Sequence, residues 1–264
     1  MMDAAKRPAD IAGMKPVPAH YLGVWQRRLL ESPSESDSAS RVYWLQTPLW
    51  HADLRIPANR PDFGDVASLP ECSAAQLDWL ATQQGFVGIT QVQDTRCTWQ
   101  RQSDFQPDSG KRDSGHMTFC GDRLIETGAE AEYLEIWQHL PESRGECAAL
   151  QLENEYGTTA RHPTWLLWAG AYFVYVRARR QALPAAGNLS QLIDRSQPSR
   201  SQLLDWLDFE ISFGRRTGPD PWRIERSTLP FREGKHIVQP DDLQQLDSRT
   251  LFETTAGRRW QILD

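Results

Sequence analysis

His51, Asp53 and Arg55 alternate with Ala52, Leu54 and Ile56 in the segment Leu49–Pro57. In an extended chain successive side chains point to opposite faces, so the three polar residues share one face and the aliphatic ones the other. Cys97–Arg101 places Trp99 with Arg101 in the same way, and Tyr133–Trp137 places Glu135 with Trp137. Together with Glu126 these form the candidate ligand-binding set: His51, Asp53, Arg55, Trp99, Arg101, Glu126, Glu135 and Trp137. Guanidinium forks bind carboxylate or phosphate. Indole faces stack aromatic or cationic groups. The acids either hold the arginines or act as bases where burial raises their pKa. Asp53 and Glu135, with His51 or His116, are the candidates for catalytic acid–base work.

Such residues must be held by a container. Short alternating segments joined by Asp-Ser-Gly, Cys-Gly-Asp and Thr-Gly-Ala turns predict antiparallel strands. Charged residues interleaved with tryptophan predict a β-barrel whose interior is wet, charged and aromatic. Two other arrangements fit the same pattern. The ion pairs could fill a narrow barrel and leave no room for a ligand, or the polar face could be the outer one.

The chain has 264 residues, enough for one large all-β domain or two barrels. Residues 1–18 read as a flexible tail, 19–141 as a first barrel and 145–264 as a second, with Pro141–Glu146 as the junction. Ser32–Ser40 reads as a solvated loop. The apolar run from Trp165 lies within one strand reaching Arg179, and Leu207–Phe213 reads as another strand. Each half carries one short helix: Ser73 caps one in which Leu77, Leu80 and Ala81 have helical spacing, and Leu189–Arg195 forms the other. The predicted fold is therefore all-β, two tandem antiparallel barrels with one short helix each.

Hydrophobic residues make up 39% and charged residues 24%, a globular balance. A net charge of −6 argues against a nucleic-acid partner held through phosphates. The local basic groups, such as Arg177, Arg179 and Arg180, read as solvated strand ends. No apolar run is long enough to span a bilayer as a helix, so no membrane partner is expected. Cys72, Cys97, Cys120 and Cys147 form no CxxC pair and follow no secretory signal, which predicts reduced thiols in a cytoplasmic protein. The six histidines show no HxH or HExxH spacing, and glycine-rich nucleotide loops and GxSxG elbows are missing from the sequence. No metal and no cofactor is expected.

Gly23-Val24-Trp25 is similar to the GxW opening of lipocalins and related calycin barrels. The blocks Trp44–Thr47, Leu54–Pro57, Thr98–Gln100, Glu126–Ala129 and Glu135–Gln138 with Pro141 follow in an order that resembles the fungal Hri-type family. Thr254–Ile262 resembles that family's last hairpin. The resemblance implies a pair of lipocalin-like β-barrels, in proteins named for associating with a casein-kinase-type partner, and it implies no catalytic activity.

The expected function is small-molecule binding, of an acidic or aromatic ligand, in the first barrel. One alternative is a cofactor-free enzyme of isomerase, cyclase or dehydratase type in the same pocket. Another is a protein-interaction module with filled barrels, whose outer surface meets a protein partner.

Overall fold

A computed structural model describes residues 13–152, 162–216, 222–237, 252–253 and 259–264. Its first half is one antiparallel sheet of nine strands. They are β1 (Gly23–Ser32), β2 (Glu35–Asp37), β3 (Arg41–Gln46), β4 (Trp50–Ile56), β5 (Gln84–Gln93), β6 (Arg96–Asp104), β7 (Ser114–Cys120), β8 (Arg123–Gly128) and β9 (Leu134–His139). From β3 to β9 each strand pairs with the next, and β9 returns to β1 with Leu30 opposite Glu135. All but β2 therefore close into an eight-stranded barrel with no free edge. The Ser32–Ser40 segment, expected as a loop, contains β2, which folds back on the end of β1.

Alternation decides the two faces. Trp25, Val42, Trp44, Phe86, Cys97, Trp99, Met117, Leu124 and Trp137 pack together inside the barrel. Val24, Leu45, Ala52, Leu54, Val87 and Ile89 point outward, yet they too are buried. What covers them is the second half.

That half is a seven-stranded sheet in the order β14-β13-β12-β11-β10-β16-β15. Its strands are β10 (Cys147–Leu152), β11 (Thr164–Ala169), β12 (Tyr172–Arg177), β13 (Glu210–Arg215), β14 (Arg223–Ser227), β15 (Phe252–Glu253) and β16 (Arg259–Ile262). One face, with Trp165, Leu167, Val174, Val176, Ile211 and Phe213, joins the aliphatic wall of the barrel in a shared core. Tyr43 of the barrel stacks on Phe213 with ring centroids 4.2 Å apart. The other face gathers Leu150, Leu166, Trp168, Phe173, Trp222, Ile224 and Trp260 into a separate core. Among the described residues β14 and β15 do not pair with each other. The structure thus shows an all-β chain with one closed barrel and a second, seven-stranded sheet.

Among the described residues there are three α-helices: α1 (Ala74–Leu80), α2 (Leu189–Ser196) and α3 (Arg200–Leu207). Ser73 and Gln76 cap α1 reciprocally, as a capping box should. The second half holds two helices rather than one. Ser199 caps α3 through the Gln202 amide, and the strand expected over Leu207–Phe213 begins only at Glu210. The expected strand Trp165–Arg179 is a hairpin, because Gly170 takes φ +54° and turns β11 into β12. Part of the expected tail is fixed too, since Val17 is buried and its amide donates to the Pro48 carbonyl. The turn of the last expected hairpin, 254–258, lies outside the described residues.

Two polar clamps join the halves. Arg179, expected as a solvated strand end, is buried and donates to the carbonyls of Asp104, Phe105 and Trp206. Burial holds its pKa down at about 10. Asp264 accepts from Thr47 Oγ1 at 2.5 Å, from the Leu49 and Trp50 amides, and from the Ala149 amide of β10. All four cysteines are free thiols. Among the described residues no helix is long and apolar enough to cross a membrane.

Candidate functional site

The barrel is plugged at one end and hollow at the other. At the plugged end Gly23 sits at φ +117°, and a side chain there would collide with His139 and Ser143. This lets β1 enter tightly, so Trp25 lies edge-on to His139 and donates from Nε1 to the Tyr21 carbonyl. Tyr21 and Phe119 pack beside it.

His51 belongs to the closed end and not to a cavity. It is fully buried, with Nδ1 2.9 Å from Thr90 Oγ1. Thr90 donates its hydroxyl hydrogen to Gln46 Oε1, so His51 Nδ1 must be the donor in that contact. Its Nε2 has no partner among the described residues. Burial, with Arg101 nearby, lowers the His51 pKa to about 3. The imidazole is therefore neutral at ordinary pH and is not placed to act as the base expected of it. His116 is exposed on β7 and does not line the cavity.

The open end holds a cavity of about 740 Å³. Six of the eight candidate ligand residues line it: Asp53, Arg55, Trp99, Glu126, Glu135 and Trp137. Register explains the grouping. The end of β4 and the starts of β5 and β9 meet at this rim, whereas His51 lies near the start of β4 and falls to the other end. Arg101 stands apart. Its guanidinium lies 3.8 Å from the Phe86 ring centroid, pairs with Asp104 and Asp113, and lines an outer groove instead.

Trp44 forms the centre of the aromatic wall, edge-on to Trp99 at 5.6 Å and to Trp137 at 6.0 Å. Arg27, absent from the candidate set, bridges Asp37 at 2.6 Å and Glu135 at 2.7 Å. It occupies the inward face two residues beyond Trp25, so the period of β1 contained the signal. Arg55 holds Asp53 through Nε at 2.7 Å, and its Nη1 has no partner among the described residues.

Glu126 differs from these acids. Tyr133 donates to its Oε1 at 2.6 Å and Trp137 Nε1 to its Oε2 at 3.1 Å, but it forms no ion pair among the described residues. Burial, followed by the neighbouring Glu135 carboxylate, holds its pKa well above the usual carboxylate range. Gly115 across the β7–β8 ladder makes room for it, since a Cβ there would stand 2.8 Å from the Glu126 side chain. Among the described residues no cluster of His, Cys, Asp and Glu is arranged to hold a metal ion.

No family model matches the sequence, and no curated protein matches it. Among solved structures the chain is similar to the crystal structure of an uncharacterized protein, YLR301w, from Saccharomyces cerevisiae. The match has a TM-score of 0.58 at 13% identity and covers 92% of this chain and 98% of that one. At that identity the likeness is one of fold alone.

Proposed function

We propose that this protein binds a small organic molecule in the open end of its barrel. The observation that carries the reading is the cavity itself: about 740 Å³, walled by tryptophans and floored by buried carboxyl groups. That size lies within the range of small-molecule sites, and few barrels leave such a space merely by imperfect packing. The closed end supports the reading too, because it is filled with aromatic side chains while the other end is left hollow. We also propose that the barrel is lipocalin-like, that the second sheet is a second unit of the same ancestry, and that the chain is related to the Hri-type proteins. The GxW entry at Gly23 and the separate core of the second sheet support this.

Native mass spectrometry of the purified chain, compared with its denatured mass, tests the binding reading. A reproducible added mass lost on denaturation is the expected result. A clean mass, with no thermal shift across a broad metabolite panel, would shift the reading to a filled module that meets a protein partner.

The paired carboxyls favour a second reading. Glu126 is held toward the protonated form, which suits a proton donor, and Glu135 is ion-paired to Arg27 across the ladder from it. A cofactor-free acid–base enzyme would lose about 10²-fold or more of its turnover in Glu126→Gln or Glu135→Gln.

A further inference from the structure

We propose that the ligand of this cavity is an organic cation, an ammonium group on an aromatic or alkyl body, and that Glu126 is its counter-ion. The inference rests on reading the cavity as a ligand site and goes on to name the ligand's charge. Around the lining seven acidic residues face two arginines. Both arginines are already occupied, Arg27 by Asp37 and Glu135 and Arg55 by Asp53. Glu126, only 3% exposed, is the buried lining carboxyl that no cation meets among the described residues.

The groups facing Glu126 are Glu135 and Tyr133, Arg55 on β4, Cys97 on β6 and Asp113 before β7. Of these only Arg55 is cationic, and it is bonded to Asp53. A buried carboxylate without a cation is costly, and an incoming ammonium removes that cost. Trp44, Trp99 and Trp137 line the same space, and indole rings favour a cation over an anion. An anionic ligand would have to lie against Glu126 and Glu135, with only the Nη1 edge of Arg55, whose Nε is bonded to Asp53, left to meet it. On binding, the ammonium takes the place of the Glu126 proton, which leaves to solvent.

Calorimetric titration of the whole chain with 3-phenylpropylamine, 3-phenylpropanol and 3-phenylpropionate, at one pH and low salt, tests this. The amine should bind about tenfold or more tightly than the alcohol, and the carboxylate weakest. Repeating the amine titration in buffers of different ionisation enthalpy should show proton release. Glu126→Gln should weaken the amine about tenfold and leave the alcohol unchanged, so the alcohol also reports that the variant is folded. Equal or tighter binding of the alcohol or carboxylate overturns the cation and leaves the cavity as a site. Failure of all three at millimolar concentration overturns both readings.

Discussion

Glu126 and Glu135 stand opposite each other in the β8–β9 register, yet only Glu135 meets a guanidinium. Two buried carboxyls thus face one cavity, and Arg27, the guanidinium that bonds one of them, is divided between Glu135 and Asp37. The charge deficit falls on Glu126, and its consequences can be measured without knowing the ligand.

The first concerns stability against pH. Because the Glu126 pKa is raised in the folded protein above its ordinary 4.5, the unfolded chain releases this proton first as pH rises. Its contribution is therefore fully present below the ordinary value and lost as pH climbs toward the raised one. Glu126→Gln has no such loss. The variant should gain on the wild type progressively as pH rises above the ordinary carboxyl range, read by denaturant unfolding at a series of pH values. A constant difference across that series would contradict the assignment.

Arg27 gives the opposite kind of test. Arg27→Met leaves Glu135 and Asp37 without their cation and should cost about 3–5 kcal/mol in urea unfolding. Adding Glu135→Gln should restore part of that loss, since the second change removes the orphaned charge. Strict additivity in the double-mutant cycle would mean that the two side chains do not interact.

At the closed end His51 has its pKa lowered to about 3 from 6.5. Its contribution is fully present above the ordinary value and is lost as pH falls toward the depressed one. His51→Gln should flatten the decline of stability between pH 6.5 and 4 by up to about 1.4 kcal/mol per pH unit. The slope is the readout, so a general loss of stability from repacking does not obscure it.

Much of the barrel was legible in the sequence because a two-residue period is hard to imitate. Asp53 with Arg55, and Glu135 with Trp137, gave the inward face of β4 and β9 directly. The same period could not give depth along the barrel axis. Depth depends on register between strands, which is why His51 was grouped with a cavity it does not line. Arg101 was misplaced for a related reason: a register shift between β5 and β6 near Gly88 lies beside it. The Trp165–Arg179 hairpin was hidden because both its strands are buried on both faces, leaving Gly170 as the one break in an apolar run. Helix α3 carried a readable cap at Ser199, but its leucines also suit a strand.

Asp264→Ala would strip hydrogen bonds from Thr47 Oγ1 and from the amides of Leu49, Trp50 and Ala149. The expected cost is about 2–4 kcal/mol by thermal or denaturant unfolding. Asp264→Asn, which keeps acceptor oxygen on one side, should lose less.

That clamp also gives the molecule an order of assembly. Thr47 and Asp264 lie 217 positions apart, so during synthesis every barrel strand has left the ribosome before the acceptor for the β3–β4 turn exists. The outer aliphatic wall likewise waits for the second sheet to cover it. A nascent chain therefore passes through a stage in which its barrel is threaded but unfinished, exposing an apolar wall and unsatisfied turn amides. The β3–β4 turn is thus among the last parts of the barrel to have its amides satisfied.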